Sequence, residues 1–335
     1  MKKKVILRAD GGSNIGMGHF TRTLALGEML KKDFYCIFAT RKPTQYQKQE
    51  IARICKGLIE LPEDITHFYE FLKVLKGDEI VVLDNYFFDT YYQKRIKDKG
   101  CNLVCIDDIH DKHYVADIVI NHAPGIIRNE FSIEDYTKLL LGPKYALIRE
   151  VFLESNTIRR NYKEAHESIL LVFGGSDLNN LTCEYLHKVY YLNNFKQINI
   201  ITGDGYRYIN VLESLVGKLK KSKINHYHNI KAEELIQVIL QSDIVIAPAS
   251  TILYEILNLK TPVISGYCVD NQKYIYQGFK DLNIILDGGD LNSTDGIMDL
   301  LKNIDLNNYL IPLKKLDNLF DGLSGKRIKN ELLKV

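Results

Sequence analysis

The chain has 335 residues, enough for two domains that each bury a hydrophobic core of their own. Its 44 basic and 42 acidic side chains nearly cancel, so the composition gives no reason to expect nucleic acid or an anionic membrane surface as a partner. The six cysteines form no C-x-x-C pair, which argues against a disulfide framework or a structural zinc site and fits a reducing cytosol.

The N-terminus has no pattern typical of export. Only Val5-Ile6-Leu7 separates the basic start of the chain from Arg8, and a signal peptide requires a longer apolar core. No apolar run approaches the length of a membrane span. We therefore expect a cytoplasmic protein without a membrane partner. The sequence does not determine the oligomeric state and is compatible with a monomer.

Short β-branched runs alternate with helical patterns along the whole chain. In the first half the predicted strands are Lys4–Arg8, Tyr35–Ala39, Leu58–Leu61, Glu79–Leu83, Leu103–Ile106 and Ile118–Asn121, and the predicted helices include Thr21–Lys32, Tyr46–Cys55 and Thr66–Lys76. In the second half the predicted strands are Ser168–Phe173, Gln197–Thr202, Ile224–His226, Ile244–Ala247, Pro262–Ser265 and Ile284–Leu286, and the predicted helices are Cys183–Tyr191, Gly205–Lys220, Lys231–Gln241 and Ile252–Leu257.

Strand–helix alternation of this kind predicts parallel sheets with helices on both faces. We predict an α/β protein in which two Rossmann-like domains face each other across a cleft. A polar stretch without a buried-strand pattern, from Ile148 to His166, marks the boundary between the two series. The predicted domains are residues 1–155 and 156–315, and a C-terminal helix in residues 316–335 can pack back on the first domain.

The segment from Leu7 to Arg22 is the most informative of the first half. A short strand leads into Gly16-Met17-Gly18-His19, and a glycine-rich turn before a helix suits an anion. Thr21 stands where the dinucleotide fingerprint requires its third glycine, so the pattern favours a sugar-nucleotide or phosphosugar loop over an NAD site. Histidine suits proton transfer near neutral pH, which makes His19 a catalytic candidate. The alternative is a packed or helix-capping histidine.

The second half has a glycine turn of its own. Phe173-Gly174-Gly175-Ser176-Asp177 ends an apolar strand, and the exposed backbone amides of such a turn suit a pyrophosphate. The alternative is an ordinary strand-to-helix turn in which Ser176 or Asp177 caps the following helix.

A further strand of the second half ends in small residues before a helix. Ser250 and Thr251 offer amides and hydroxyls to a phosphate, and Glu255, one turn later, can accept both hydroxyls of a ribose. The alternative is that Ser250 is a helix cap and Glu255 a solvated surface charge. Two such turns in one domain favour nucleotide binding.

Polar residues also follow three other strands. Asp84 and Tyr86 can bind sugar hydroxyls or orient a base. Adjacent side chains of an extended chain point in opposite directions, so we expect Asp107 and Asp108 to form turns or polar networks and predict no metal site. Asp270-Asn271-Gln272 offers uncharged amide groups, with a turn bonded to its own backbone as the alternative.

These motifs, in this order and spacing, resemble one family over nearly the whole chain. It comprises the UDP-2,4-diacetamido-2,4,6-trideoxy-β-L-altropyranose hydrolases of pseudaminic acid biosynthesis, which are related to spore-coat polysaccharide proteins and distantly to MurG-like glycosyltransferases. The matching positions are Arg8-Ala9-Asp10, Gly16-x-Gly18-His19-x-x-Arg22, Asp84-x-Tyr86, Ile106-Asp107-Asp108, Leu141-Gly142-Pro143-x-Tyr145-Ala146-Leu147-x-Arg149, Phe173-Gly174-Gly175-x-Asp177, Ser242–Glu255, Asn271-Gln272 and Asp321-Gly322-x-x-Gly325-x-Arg327. The chain departs from the family pattern at Ala249-Ser250, where a glycine pair is usual, and at Thr251-Ile252, where paired threonines are usual.

The resemblance implies a GT-B-like hydrolase that cleaves the sugar C1–O bond of a UDP-sugar with inversion, without a metal or cofactor, for surface polysaccharide or flagellin glycosylation. His19 matches the catalytic histidine, which would activate or orient the attacking water. The first domain would bind the sugar and the second would bind UDP. Tyr86 and Asn271 match residues that line the sugar site. The expected substrate-binding residues are Arg8, Asp10, Gly16, Gly18, Arg22, Tyr86, Arg149, Asn271 and Gln272, and the expected UDP-binding residues are Gly174, Gly175, Ser176, Ile230, Ser250, Thr251 and Glu255.

Two other functions fit the same motifs. A GT-B glycosyltransferase would use the same UDP-sugar donor with a sugar or lipid acceptor, although the chain has no basic amphipathic stretch that would dock on a membrane. A non-catalytic nucleotide-sugar-binding protein would not need His19, Tyr86 and Asn271 together.

Overall fold

A computed structural model of the chain describes residues 2–12, 15–155, 167–304 and 315–335. Within these ranges the chain divides into two compact units. The N-terminal unit comprises Met1–Gly11, His19–Glu150 and Asp321–Val335, and the C-terminal unit comprises Gly12–Gly18 and Val151–Phe320. The domain limit between residues 155 and 156 borders the stretch 156–166, which lies outside the described residues, and stays a prediction.

Strands β1 to β9 belong to the N-terminal unit. They are β1 (Lys4–Ala9), β2 (Tyr35–Arg41), β3 (Gly57–Leu61), β4 (Ile80–Asp84), β5 (Asn102–Ile106), β6 (His113–Tyr114), β7 (Ile118–Asn121), β8 (Ser132–Ile133) and β9 (Lys138–Leu141). Seven of them form one parallel sheet in the order β3-β2-β1-β4-β5-β7-β9, and β6 pairs with β8 separately. Every residue of the central strand β4 is buried, as expected for a parallel strand that helices cover on both faces.

The helices of the N-terminal unit connect these strands. They are α1 (Gly18–Leu30), α2 (Gln45–Ile54), α3 (His67–Val74) and α4 (Thr90–Lys97), and α5 (Glu150–Glu154) lies at the division between the units. Because each helix follows one strand and precedes the next, the carboxyl ends of the strands and the starts of the helices meet at one edge of the sheet.

The C-terminal unit repeats this architecture. Its strands are β10 (Ser168–Val172), β11 (Gln197–Thr202), β12 (Lys223–His228), β13 (Ile244–Pro248), β14 (Val263–Tyr267) and β15 (Leu286–Asp290), which form a parallel sheet in the order β12-β11-β10-β13-β14-β15. Its helices are α6 (Leu181–Leu192), α7 (Ile209–Lys218), α8 (Ala232–Gln241), α9 (Thr251–Asn258), α10 (Lys273–Asp281), α11 (Asp295–Asn303) and α12 (Leu316–Leu319), and α13 (Ser324–Leu332) returns to the N-terminal unit. In the part of the chain that the structure describes, no helix is long and apolar enough to cross a bilayer.

Several elements differ from the sequence prediction: strands β6, β8 and β9 were not predicted, α7 begins at Ile209 rather than at Gly205, and α1 and β15 are displaced. Helix α1 begins at Gly18 rather than at Thr21, because Phe20 is buried and packs on Phe38 of β2, so the first turn gains a tertiary contact. The last strand runs over Leu286–Asp290 rather than Ile284–Leu286. Its sequence, Leu-Asp-Gly-Gly-Asp, has little intrinsic strand preference, and pairing with β14 imposes the conformation.

The turn at Gly77 provides a test of the packing in the N-terminal unit. Gly77 has φ +98°, and a Cβ atom there would lie 2.3 Å from the carbonyl oxygen of Lys99. We predict that Gly77→Ala lowers the free energy of unfolding by about 3 kcal/mol, because backbone strain and a steric clash add together. Urea denaturation measures the change.

Gly57→Ala is the matched control in the same unit. A Cβ atom at Gly57 would meet the Ile37 side chain at an ordinary 3.6 Å. We expect this variant to stay within about 1 kcal/mol of the wild type. Equal destabilisation by both substitutions would contradict the described turn.

Candidate active site

The candidate site lies at the carboxyl edge of the N-terminal sheet. Strand β4 ends at Asp84, so an apolar, buried strand delivers a carboxylate to this edge. His19 lies in the first turn of α1, and Arg22 lies three residues later, close to one helical turn. The fold therefore brings two nearby residues of α1 onto one residue of β4.

Asp84 is the centre of the hydrogen-bond network. It is fully buried, and its Oδ1 lies 2.7 Å from His19 Nδ1. Arg22 donates from Nε to Oδ2 at 2.7 Å and from Nη2 to Oδ1 at 2.6 Å, and the Thr23 hydroxyl donates to Oδ2 at 2.8 Å. All four bonds join side chains that are at most 6% exposed. The carboxylate thus holds the start of α1 against β4.

Electrostatics keep this pair ionised. Burial works to raise the pKa of Asp84, but the charge of Arg22 and the hydrogen bonds from Arg22 and His19 outweigh it and hold the pKa far below its ordinary value. Burial likewise works to lower the pKa of Arg22, and the charges of Asp84 and Asp108 raise it well above its ordinary value.

Asp108 and Tyr86 extend the network towards β5. Arg22 Nη1 donates to Asp108 Oδ2 at 2.7 Å, and the Tyr86 hydroxyl donates to the same oxygen at 3.0 Å. The Tyr86 ring also meets the His19 ring edge-on, with centroids 4.6 Å apart. Asp107 faces other partners, among them the Tyr114 hydroxyl and the Asn121 amide. The two adjacent aspartates therefore belong to separate polar networks.

A small cavity lies beside this network. Its volume is about 10 Å³, close to the smallest that holds one water molecule. Asp108 Oδ1 is buried and has no hydrogen-bond partner among the described residues. His19, Tyr86 and Asp108 are among the residues that line the cavity.

The contacts of His19 define what it can do chemically. His19 Nδ1 lies 2.7 Å from Asp84 Oδ1 and 3.1 Å from Arg22 Nη2, and the shorter contact, with a carboxylate that stays ionised, favours the tautomer that carries the hydrogen on Nδ1. Nε2 then holds the lone pair, and it has no hydrogen-bond partner within the described ranges. A neutral imidazole in this tautomer is suited to accept a proton.

Arg8 and Asp10, two expected substrate-binding residues, form a buried ion pair. Arg8 donates to both oxygens of Asp10, at 2.5 and 3.0 Å, and is fully buried. Its Nη2 also lies 3.2 Å from Nδ1 of His67. Burial, then the charges of Arg8 and Arg41, lower the pKa of His67 to about 4. Direct contact of Arg8 with a substrate stays a prediction.

In the C-terminal unit, a side chain of the protein accepts hydrogen bonds from backbone N–H groups that follow the glycine turn after β10. The Asp177 carboxylate accepts hydrogen bonds from the backbone N–H groups of Leu181 and Thr182, both at 2.8 Å. The N-cap position of α6 is Asn180 rather than Ser176 or Asp177, and Asp177 satisfies the first two N–H groups of the helix from three residues before the N-cap. Gly175 packs closely against Gly203, because a Cβ atom built on Gly203 would lie only 2.7 Å from the Cα atom of Gly175.

The start of α9 differs from that of α6. Ser250 occupies the N-cap position, but its side chain makes no capping hydrogen bond. Thr251 is the first helical residue, and Glu255 is only 2% exposed. The interpretation of Glu255 as a solvated surface charge is therefore wrong.

The remaining expected site residues lie at several places. Gly16 has φ +84° and forms two backbone hydrogen bonds with Gly12, and Gly18 is the first residue of α1. Ile230 follows β12, and Arg149 directly precedes α5. Gln272 and Asn271 belong to a short 3₁₀ helix, Asp270–Gln272, in which Gln272 Oε1 accepts from the backbone of Cys268. No three His, Cys, Asp or Glu side chains among the described residues are grouped so that they could hold a metal ion.

Sequence reasoning did not find the contribution of Arg41. Its Nε donates to Asp10 Oδ2 at 2.8 Å. Arg41 is the last residue of β2 and belongs to no recognisable sequence motif, so no pattern indicated this contact. The link between Arg22 and Asp108 also joins residues 86 positions apart. The sequence indicated Arg22, Asp84 and Asp108 as separate motif residues, but it gave no sign that they contact one another.

No model of a known protein family matches the chain. An uncharacterized protein of Methanocaldococcus jannaschii is 28% identical over 287 residues, which cover 82% of this chain and 58% of that protein. The chain thus spans less than two thirds of that relative. UDP-2,4-diacetamido-2,4,6-trideoxy-β-L-altropyranose hydrolase of Campylobacter jejuni is 26% identical over 281 residues, 81% of this chain and 93% of the hydrolase. Spore coat polysaccharide biosynthesis protein SpsG of Bacillus subtilis is 25% identical over 293 residues, 84% of this chain and 82% of SpsG.

Solved structures show the fold. MurG of Acinetobacter baumannii aligns with a TM-score of 0.61 at 12% identity, over 99% of this chain and all of that one. UGT89C1 of Arabidopsis thaliana aligns with a TM-score of 0.66 at 10% identity, over all of this chain and 99% of that one. The predicted α/β fold of the GT-B type, with two Rossmann-like domains, is confirmed.

The contact between His67 and Arg8 predicts a pH dependence of stability. In the unfolded chain a histidine has a pKa near 6.5, whereas the folded value is about 4, so between these values only the unfolded state binds the proton. The free energy of unfolding therefore falls as the pH drops from 7 to 5. We predict a smaller fall for His67→Gln, which retains an acceptor for Arg8.

Urea denaturation of both proteins at pH 7 and pH 5 measures this difference. The pH-dependent loss in the wild type should exceed that in His67→Gln. Identical losses in the two proteins would contradict a buried, neutral His67.

Proposed function

We propose that the protein hydrolyses a UDP-activated sugar, cleaving the C1–O bond so that free sugar and UDP are released. The proposed substrate is a 2,4-diacetamido-2,4,6-trideoxy hexose in the β-L-altropyranose configuration, which would place the reaction in pseudaminic acid biosynthesis. The observation that carries the proposal is the dyad of His19 and Asp84, with Nε2 of His19 left as an acceptor. The similarity to the Campylobacter jejuni hydrolase over 81% of the chain supports the substrate class.

His19 would act as the general base. Water attacks C1 of the sugar, one water proton passes to His19 Nε2, and the electron pair of the C1–O bond leaves with UDP. Attack on the face opposite the leaving group inverts the configuration at C1. Asp84 would act through His19, because it fixes the tautomer and stabilises the imidazolium that forms.

The charge of the N-terminal cluster suits this step. With His19 neutral, the carboxylates of Asp84 and Asp108 exceed the guanidinium of Arg22 by one negative charge. The anomeric carbon gains positive, oxocarbenium-like character as the bond breaks. A buried, net negative cluster favours the charge that develops on the sugar. All three nitrogens of Arg22 are engaged, so we assign it to positioning rather than to sugar contact.

The C-terminal unit would bind UDP. The first N–H groups of a helix lack intrahelical acceptors and attract anions. The α9 start is not capped by Ser250, whereas Asp177 already occupies the α6 start. We therefore assign the diphosphate to Ser250 and Thr251, and the ribose hydroxyls to the buried carboxylate of Glu255. The Gly174–Ser176 turn and the backbone at Ile230 would complete the nucleotide site.

A glycosyltransferase that uses a UDP-sugar donor is the second candidate. Its basis is the fold, which the chain shares with MurG. The chemistry at the donor would be the same, with an acceptor hydroxyl in place of water. Release of sugar in the absence of any acceptor distinguishes the two functions.

The hydrolase proposal predicts UDP release without an acceptor. The protein is incubated with UDP-2,4-diacetamido-2,4,6-trideoxy-β-L-altropyranose and EDTA in ¹⁸O-labelled water. We expect UDP and free sugar, with ¹⁸O at C1, as measured by mass spectrometry. Label in UDP instead would indicate P–O cleavage and contradict the mechanism, and release only after a sugar acceptor is added would favour the transferase.

Two histidine variants test the proposed base within this experiment. His19→Ala should lower turnover about 10²- to 10⁴-fold and leave UDP affinity unchanged. His113, which is 38% exposed on β6, is the matched control, and His113→Gln should retain wild-type turnover. Near-normal turnover of His19→Ala would refute the assignment.

A further inference from the structure

Arg41 is a partly exposed cation held in a fixed orientation at the carboxyl end of β2. Asp10 accepts a hydrogen bond from the Arg41 backbone N–H at 2.8 Å and another from its Nε at 2.8 Å. Asp10 in turn is held by the buried Arg8 and by the Thr40 hydroxyl. Burial works to raise the pKa of Asp10, but Arg8 and Arg41 together lower it, so the carboxylate stays ionised.

The two terminal nitrogens of Arg41 differ from its Nε in their hydrogen bonding. The side chain is 21% exposed, and neither Nη1 nor Nη2 has a hydrogen-bond partner among the described residues. The guanidinium groups of Arg8 and Arg41 carry two positive charges and the Asp10 carboxylate carries one negative charge, so the three side chains have a net charge of +1. The result is a pair of N–H donors in fixed geometry on a site with net positive charge.

Aromatic rings lie next to these donors. The Arg41 guanidinium lies over the Phe87 ring at 5.0 Å, and Phe87 meets Phe68 edge-on at 5.6 Å. Both rings are half-buried. Two N–H donors of Arg41 next to the aromatic rings of Phe87 and Phe68 suit a group that has both an acceptor oxygen and a methyl group.

We propose that Arg41 and Phe87 recognise an N-acyl group of the sugar, with Arg41 donating to the acyl oxygen and Phe87 packing against the methyl group. This assignment rests on the proposed function and makes Arg41 a residue that determines substrate specificity. An acetamido group carries both features in one planar unit.

The position of Arg41 in the sheet fits this role. Strand β1 separates β2 from β4, so two strand spacings of about 4.8 Å place the end of β2 roughly 10 Å from the end of β4. Arg41 and Asp84 stand at those two strand ends. A hexose with its substituents spans a comparable distance, so a sugar with C1 near His19 can direct a ring substituent towards Arg41.

Calorimetric titration of the full chain in a His19→Ala background tests the assignment without turnover. The ligands are the UDP-diacetamido sugar, UDP-glucose, which has no acyl group, and UDP alone. We expect Arg41→Gln to weaken binding of the diacetamido sugar about 10- to 100-fold and to leave UDP-glucose and UDP within about twofold. Arg41→Lys retains a charge beside Asp10 and should show the same selective loss even if Arg41→Gln folds poorly.

Lys42→Gln is the matched control. Lys42 is the exposed neighbour of Arg41 and pairs with Glu63. Its substitution changes the local charge without changing the Arg41 guanidinium. It should leave all three affinities unchanged. Equal loss of diacetamido sugar and UDP-glucose in the Arg41 variants, no loss at all, or no binding of UDP-sugars by the parent protein would each overturn the assignment. Selective loss together with a wild-type protein that fails to hydrolyse the sugar would support the assignment and refute the hydrolase.

Discussion

The buried ion pair between Arg22 and Asp84 is the interaction on which the candidate site depends. It fastens α1 to the central strand β4, and through Asp108 it also reaches β5. Removing one partner of a buried pair leaves an uncompensated charge and costs about 3–5 kcal/mol. Because Asp84 also accepts from His19 Nδ1, the same pair that secures this edge of the sheet fixes the tautomer of the histidine.

The proposed reaction requires opposite electrostatics at its two ends. As the C1–O bond breaks, the sugar gains positive charge and the leaving diphosphate gains negative charge. The cluster around His19 in the N-terminal unit is net negative, whereas the uncapped start of α9 in the C-terminal unit presents backbone N–H groups. Under the proposed function, the cluster around His19 would stabilise the charge on the sugar, and the start of α9 would stabilise the charge on the diphosphate.

Much of the fold could be predicted from the sequence, because parallel strands are buried β-branched runs that local patterns reveal. Gln197–Thr202 and Ile118–Asn121 have the predicted bounds, whereas β15 depends on pairing with β14 and could not be read from its Gly-Asp-rich sequence. At the site, the glycine context and the family resemblance indicated His19. The sequence indicated Asp84 as a residue that can orient a base, but not that its partner is His19, 65 residues away. Arg41 gains its geometry only from Asp10 and Phe87, so tertiary structure was needed to assign it.

The proposed mechanism requires that Asp84 holds His19 with hydrogen on Nδ1 and the lone pair on Nε2. ¹⁵N NMR of histidine-labelled protein tests it directly, with the His19 resonances assigned by their loss in His19→Ala. At alkaline pH, where the ring is neutral, we expect a pyrrole-type shift for Nδ1 and a pyridine-type shift for Nε2. The reverse pattern would show that Nε2 carries the hydrogen and would contradict a role for His19 as the base.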